Sequence, residues 1–420
     1  MKFDVLKINH LKRNILIGVV AVLIISAIVL NFTRAKYRTT QSIPLVNGTI
    51  NYSLADLNIV AITVDGEASD TIPEGNYELA STSYCTYKDG STIDGLTLKY
   101  DSNTKAFSIS PYTTKGTKCY LDFTEKASAG DTILGNVEVN EGTPNFSQTA
   151  TTDEGVYKTE DNQGTSYYFR GAVTNNYVSF AGYYWRIIKI NGDGSIRIIY
   201  DGTSAHANGE SSSDRQTGTS AFNSTYNRSY YVGYTYQADA QRPSSQNSGT
   251  ASTIKGVLDN WYSTNIAGKG LDDKVVSTPG FCNDRNTASG SNWVSSGSTF
   301  YYAAYDRVYG STQPTLQCSN TNDIYTTKVG LITADEVMYA GGTTSSNNSY
   351  YLYTGQNYWT MSPYLAASSG YARVFDVWSD GYLYYYRVDN SSGVRPVLNL
   401  SADVTISSGD GTMNSPYIVS

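Results

Sequence analysis

The sequence predicts an α+β protein in which an apolar N-terminal helix precedes a small all-β module and a larger α+β domain with few helices. Three observations predict this class. An uncharged apolar run lies near the N terminus, short stretches of alternating apolar residues recur along the chain, and only two later segments show helical signals. At 420 residues the chain is long enough for two or three domains with their own cores.

Tyrosine, glycine and small polar residues dominate the composition. The chain has 38 tyrosines and 37 glycines, whereas charged residues make up only 16%. Such a composition is typical of short strands joined by turns, and its aromatic content argues against extended disorder. The formal net charge is −7. Because the charged residues among residues 1–38 are mostly basic, the rest of the chain has a net charge more negative than −7. An acidic region without basic clusters repels phosphate backbones, so we expect no nucleic-acid partner.

The apolar run from Ile15 to Phe32 predicts a transmembrane helix, preceded by a cytoplasmic tail over residues 1–14. The run contains no charged residue, and at about 1.5 Å per residue it nearly spans a hydrocarbon core. A cleaved signal peptide is the alternative. Its apolar core would be shorter, about 7–15 residues, and would end in small residues rather than in Asn31 and Phe32.

Four cysteines indicate the compartment of the remaining chain. Cys85, Cys119, Cys282 and Cys318 lie in two well-separated pairs, which favours two local disulfides formed in an oxidising environment. Pairing Cys85 with Cys119 and Cys282 with Cys318 keeps each bridge inside one domain. Four unpaired buried thiols are the alternative, and the absence of a Cys-x-x-Cys motif disfavours zinc. We therefore expect a single-pass cell-membrane protein with its N terminus inside and its ectodomain extracellular.

Residues 43–126 predict a small β-sandwich-like module. Apolar residues alternate from Val60 to Val64, and two later stretches repeat this pattern. A period of two buries one face of each strand, and turn-rich segments separate the strands at the short spacing of a sandwich. Residues 127–165 lose the alternation and predict a linker with one short strand at Thr132–Leu134.

Residues 166–420 predict the larger domain. Its first element is a hairpin of Tyr183–Ile190 and Ser195–Tyr200, joined by Asn-Gly-Asp-Gly, whose steps favour the positive φ angles of tight turns. One helix is predicted to start near Ser252, with its apolar residues on one face. A second, short helix starts at the capping box Thr333–Glu336.

Sequence motifs of catalysis are missing from the chain. It has no nucleophile-elbow serine, no phosphate-binding loop and no His-Glu-x-x-His, and only two histidines. We therefore expect a protein that is not an enzyme and that has no cofactor and no metal site. Asp376, Asp380 and Asp389 lie close in sequence and leave a carboxylate hydrolase as a distant hypothesis, although such side chains are usually solvated.

The segment Tyr371–Asn390 is the strongest candidate for ligand binding, because large aromatic residues alternate there with charged ones. Tyrosine and tryptophan give rigid contact area at low entropic cost, and Asp, Asn and Arg orient a ligand, as in antibody loops. A twisted hairpin with ordinary cross-strand aromatic pairs is the alternative. The candidate ligand-binding residues are Tyr371, Arg373, Asp376, Trp378, Asp380, Tyr382, Tyr384, Tyr385, Tyr386, Arg387, Asp389 and Asn390.

Four stretches resemble a known bacterial pattern: Tyr183–Ile188, Gly330–Glu336, Tyr358–Tyr364 and Gly393–Leu400. They look like an uncharacterised domain of surface proteins in Gram-positive gut bacteria, which resembles the C-type-lectin-like fold of formylglycine-generating-enzyme-like domains. The resemblance covers residues 166–420 and implies a C-type-lectin-like α+β domain there.

The resemblance also carries implications for single residues. In the broader fold a Gly-Phe-Arg near the C terminus holds a structural arginine, and Gly393-Val394-Arg395 is similar to it, which implies that Arg395 faces the core. The enzyme members use paired cysteines near the C terminus, and this chain has none after Cys318, so catalysis is not implied. Some lectin-fold relatives are diversified by retroelements, and the composition of residues 371–392 is compatible with that.

Together these features predict a membrane-anchored surface protein that binds a glycan or protein ligand through its tyrosine-rich C-terminal segment. A structural cell-envelope protein without a specific ligand is the alternative. Sequence variation concentrated in residues 371–392 would favour recognition, whereas uniform variation in all loops would favour the structural role.

Overall fold

A computed structural model describes residues 57–73, 77–101, 106–110, 116–125, 127–246, 248–368 and 370–419. The chain divides into two compact units, one ending at Lys126 and the other starting at Ala127. The structure is 37% strand and 14% helix. The predicted α+β class is therefore wrong: the protein is mostly β-sheet, because the helical signals in the sequence give only short helices.

The predicted transmembrane helix at residues 15–32 and the tail at residues 1–14 lie outside the described residues. Within the described ranges, no helix is long and apolar enough to cross a membrane. The longest of these helices, Thr253–Asn265, has 13 residues, whereas a hydrocarbon core takes about 20 residues. The helices that the structure describes thus do not include the predicted transmembrane helix.

In the described residues of the first unit, the secondary-structure elements are all strands: β1 Leu57–Val64, β2 Glu67–Ser69, β3 Tyr77–Leu79, β4 Tyr84–Tyr87, β5 Thr97–Asp101, β6 Ala106–Ser110 and β7 Thr117–Glu125. Strand β7 pairs in parallel with β1 and antiparallel with β3 and β4. Strand β2 pairs with β1, and β5 and β6 form a separate hairpin.

Strand β7 supplies much of the core of this unit. Its buried and half-buried residues alternate, which places Cys119, Leu121 and Phe123 on the buried face. The disulfide between Cys85 and Cys119 joins opposite positions of β4 and β7, which confirms the predicted pair. The alternation expected from Val60 does not hold, since an irregularity of register between Ile59 and Ala61 leaves Val60 exposed.

The second unit contains two large sheets with short helices around them. Its helices are α1 Ala129–Leu134, α2 Thr253–Asn265, α3 Ala303–Tyr305, continued by a π-helical turn at Asp306–Gly310, and α4 Ala334–Tyr339. Its strands are β8 Val139–Asn140, β9 Asp153–Asp161, β10 Gly164–Gly171, β11 Tyr177–Phe180, β12 Tyr183–Ile190, β13 Ile196–Gly202, β14 Thr219–Ala221, β15 Thr235–Tyr236, β16 Thr250–Ala251, β17 Phe281–Cys282, β18 Phe300–Tyr301, β19 Ile324–Tyr325, β20 Val329–Gly330, β21 Tyr358–Ala366, β22 Ala372–Val377, β23 Leu383–Arg387, β24 Ser391–Gly393, β25 Val397–Leu400, β26 Ile406–Ser408 and β27 Tyr417–Val419.

The larger sheet has the order β20-β25-β13-β12-β10-β9-β8, with β11, β27 and β26 continuing from β12. The smaller sheet has the order β14-β24-β21-β22-β23, with β18 paired to β21. Every residue of β13 and of β21 is buried. The sheets thus enclose one large apolar core that includes Trp185 and Trp359.

Residues 127–165, predicted to be a linker, are instead part of the second unit. A reciprocal capping box of Ser128 and Asp131 starts helix α1, which buries Ile133, and β9 pairs with β10. The strand expected at Thr132–Leu134 is the end of this helix. Strand periodicity missed it because the helix has only six residues and its start depends on its cap.

Other local predictions in this unit are confirmed. Strands β12 and β13 form the predicted hairpin, closed where the Asn191 amide donates to the Ser195 carbonyl at 2.8 Å. Ser252 caps α2, and Thr333 with Glu336 forms the capping box of α4. Cys282 is bonded to Cys318 as predicted. The turn and the helix caps depend on residues that are close in sequence. The disulfide depends on a choice among only four cysteines.

Candidate functional site

The predicted ligand-binding residues lie on one β-hairpin at the edge of the smaller sheet and on the residues that flank it. Strands β22 and β23 pair antiparallel with Phe375 opposite Tyr385. The turn closes where the Trp378 amide donates to the Tyr382 carbonyl at 2.8 Å. Because β23 is the outermost strand of the sheet, its side chains reach the surface.

A continuous run of aromatic rings extends from β18 and α3 across β21 to this hairpin. We name it the aromatic tract. Each of its rings lies within 6.0 Å of another member, and the rings come from separate parts of the chain. The tract consists of Tyr301, Tyr305, Tyr309, Tyr364, Trp378, Tyr382, Tyr384 and Tyr385.

The geometry of the tract is stacked in its centre and edge-on at its exposed end. Tyr385 stacks on Tyr364 with centroids 4.0 Å apart and planes at 10°, and on Tyr384 at 4.1 Å and 24°. The Trp378 ring meets Tyr384 edge-on at 4.9 Å and 80°, and 36% of Trp378 is exposed. Ring contacts of this kind hold the side chains in place.

The inner side of the tract rests on the core. Phe375 is fully buried and packs edge-on against Tyr364 with centroids 5.0 Å apart. Tyr364 is buried as well, whereas Tyr305 and Tyr309 are half-buried. The exposed rings therefore stand on a fixed aromatic base.

Sequence reasoning missed half of the tract. Tyr305 and Tyr309 lie four residues apart on α3 and its π-helical continuation, a spacing that places side chains on one helix face, and Tyr301 lies four residues before Tyr305 at the end of β18. That spacing is a signal that could have found them. Nothing local to Tyr364 indicates its role, because it depends on the pairing of β21 with β22.

The remaining predicted residues have other neighbours. Tyr386 lies 6.1 Å from the buried Trp359, and Tyr371 lies 5.5 Å from Tyr226. The Arg387 guanidinium covers the Tyr226 and Tyr371 rings at 4.7 and 5.2 Å and forms an ion pair with Asp389. The amide of Asn390 donates to the Arg387 carbonyl. The hairpin thus has a second, smaller cluster next to the aromatic tract.

The three carboxyl groups suggested for hydrolysis have three separate partners. Asp376 is fully buried and accepts a hydrogen bond from Trp378 Nε1 at 3.0 Å. Asp380 accepts from the Ser346 hydroxyl at 2.6 Å and shapes the turn, and Asp389 pairs with Arg387. Burial raises the pKa of Asp376 to about 8.

Replacing Asp376 by Asn is expected to remove a loss of stability at alkaline pH. The folded carboxyl keeps its proton up to about pH 8, whereas an unfolded Asp releases it near pH 4, so folding stability falls as pH rises through this window. Asn keeps the acceptor for Trp378 and carries no charge. The free energy of unfolding of the variant should exceed that of the wild type by several kcal/mol at pH 9, at about 1.4 kcal/mol for each unit by which the pKa is raised, and should match it near pH 4. Denaturant unfolding of both proteins across this pH range measures the difference. A difference in the free energy of unfolding that does not change with pH would refute the prediction.

A polar cavity of about 50 Å³ lies beside the Cys282–Cys318 disulfide. The basic side chains that line it all form ion pairs. Lys189 Nζ lies 2.9 Å from Asp161 Oδ2, and Arg197 Nε lies 2.6 Å from Glu336 Oε1. Arg307 pairs with both Asp284 and Asp335. A space of this size holds a few water molecules. Each of these cations is already paired with a carboxylate, so the aromatic tract is the better candidate for a ligand site.

In the part of the chain that the structure describes, no group of three or more His, Cys, Asp or Glu side chains could hold a metal ion.

No protein-family model, no curated protein and no solved structure matches the chain. The residues of the aromatic tract and their geometry therefore provide the indication of function.

Proposed function

We propose that this protein is an extracellular glycan-binding protein and that the aromatic tract is its binding site. The observation that carries the proposal is the continuity of the tract, whose exposed end at Trp378, Tyr382 and Tyr384 is backed by a stacked interior. Apolar faces of sugar rings stack on such aromatic side chains, and the tyrosine hydroxyls can bond sugar hydroxyls.

The fixed arrangement of the rings in the tract favours a glycan as the ligand. Sugars present repeated flat faces, and a ligand of this kind gains most from several rings that are already fixed before binding. The two disulfides support a location outside the reducing cytosol. A protein ligand would need a compact buried hot spot rather than an extended row of rings.

Replacing Tyr384 by Ala in the full-length chain is expected to weaken glycan binding about tenfold or more while leaving thermal stability nearly unchanged. Tyr384 is half-buried on an edge strand, and truncated aromatic anchors commonly cost more than about 1.4 kcal/mol of binding free energy. It is a better single test than its neighbours, because Tyr385 stacks on Tyr364 and Tyr386 packs near Trp359. A glycan array followed by titration calorimetry measures the effect.

Tyr84 is the matched control for this substitution. It is 49% exposed in the first unit and stacks on Tyr120 with centroids 4.8 Å apart, so Tyr84→Ala removes an exposed stacked tyrosine outside the tract. Equal losses from both substitutions would contradict the site. A well-folded chain that binds no saccharide would refute the function, and binding of a protein instead would identify the other ligand class.

A further inference from the structure

Two arginines stand directly opposite each other on the hairpin, Arg373 on β22 and Arg387 on β23. Like charges at opposite positions of an antiparallel pair destabilise it. Arg387 is compensated, because its guanidinium donates to Asp389, with NH2 3.0 Å from Oδ2. The Arg373 guanidinium contacts the Tyr385 ring but has no hydrogen-bonding or ion-pair partner among the residues that the structure describes. The hairpin therefore holds one uncompensated, half-buried cation.

The uncompensated cation lies at the aromatic tract. The Arg373 guanidinium is 5.1 Å from the centroid of Tyr385, and Tyr385 stacks on both Tyr364 and Tyr384. A guanidinium over an aromatic ring is held by its flat face, and its N–H groups at the rim stay available as donors. A sugar stacked on the tract would thus place its substituents beside Arg373.

We propose that the ligand is an acidic glycan whose anionic substituent, a carboxylate or a sulfate ester, is bound by Arg373. This inference rests on the proposed glycan-binding function. The planar fork of a guanidinium matches two oxygens of such a group in a bidentate bond. Arg387 is the neighbouring cation, but its bond to Asp389 leaves Arg373 as the group that selects the anion.

The charges near Arg373 are consistent with this role. The carboxyl on its own strand belongs to Asp376, which is buried and has a pKa of about 8, so it stays largely protonated at neutral pH and does not cancel the arginine. The chain as a whole carries a net charge of −7 and repels anions. An anionic ligand therefore needs a local, uncompensated cation.

The test compares charged saccharides with neutral forms of the same backbone. One pair is an oligogalacturonate and its full methyl ester, and the other is a sulfated oligosaccharide and its desulfated form. The wild-type full-length chain is expected to bind a charged form about tenfold or more tightly than its neutral partner. Arg373→Gln should abolish that preference, so that the variant binds the charged and the neutral form with equal affinity.

Arg228→Gln is the control, since Arg228 is half-buried, as Arg373 is, and its guanidinium donates to the neighbouring Asn227 carbonyl. This variant should keep the full preference. A preference confined to the galacturonate pair identifies a carboxylate ligand, and one confined to the sulfated pair identifies a sulfate.

Three results would overturn the inference. Equal affinity for charged and neutral forms, still dependent on Tyr384, would refute the anion site while the glycan-binding function stands. Equal weakening of both forms by Arg373→Gln would show that Arg373 only supports the Tyr385 ring. A chain that binds none of these saccharides or any on the array would refute both proposals.

Discussion

Replacing Asp201 by Asn is expected to lower the free energy of unfolding of the second unit by about 3–5 kcal/mol. Asp201 is fully buried at the end of β13, and its Oδ1 lies 2.8 Å from Arg215 NH2 and 2.9 Å from Arg395 NH2. Both arginines are buried too. Removing the single negative charge would leave two guanidinium groups without compensation in a region that water does not reach.

The two arginines also anchor separate stretches of chain. Arg215 donates to the Tyr351 carbonyl, and Arg395 donates to the Leu352 carbonyl at 3.0 Å. Asp201 thus fixes both donors to the segment that precedes β21. Arg395 faces the core, as the sequence resemblance implied.

Denaturant unfolding of the Asp201→Asn variant measures this effect. Asp403→Asn is the matched control, because Asp403 is exposed and surface substitutions usually change stability by less than about 0.5 kcal/mol. If both variants unfold at the same denaturant concentration, the buried charge cluster contributes little to stability.

Replacing Cys85 and Cys119 together by Ser is expected to unfold the first unit while the second stays folded. A bridge that closes a loop of 34 residues stabilises by about 4 kcal/mol in the chain-entropy description. The described core of the first unit is a small cluster around Phe107 and Phe123. A core of this size supplies little stability beyond the bridge.

The Cys282→Ser, Cys318→Ser variant is the control for this prediction. Its bridge has a similar sequence separation, 36 residues, so the entropic loss is nearly equal, but the large core of the second unit should keep it folded. Hydrogen exchange followed by mass spectrometry distinguishes the units. Retained protection of β7 in the first variant, or global loss of protection in the control, would contradict the argument.

Local features of the fold were predictable from the sequence. The Asn-Gly-Asp-Gly turn between β12 and β13 and the capping box of Thr333 and Glu336 depend on residues within a few positions of each other. The two disulfides followed from cysteine spacing. The fold class was predicted wrongly, because helical signals showed where helices start without showing how much of the chain is sheet.

The sequence by itself determined that Tyr371–Asn390 is rich in aromatic and charged side chains, and it left a hairpin as one of two interpretations. Only the tertiary structure decided that this segment is a hairpin and that Tyr364 and Tyr385 stack in one tract. It also showed that Arg387 has a carboxylate partner, whereas the Arg373 side chain has none among the residues that the structure describes. The physical reason is that periodicity gives the face on which a side chain lies, whereas its neighbours depend on strand order and register. These are set by contacts between residues far apart in the chain.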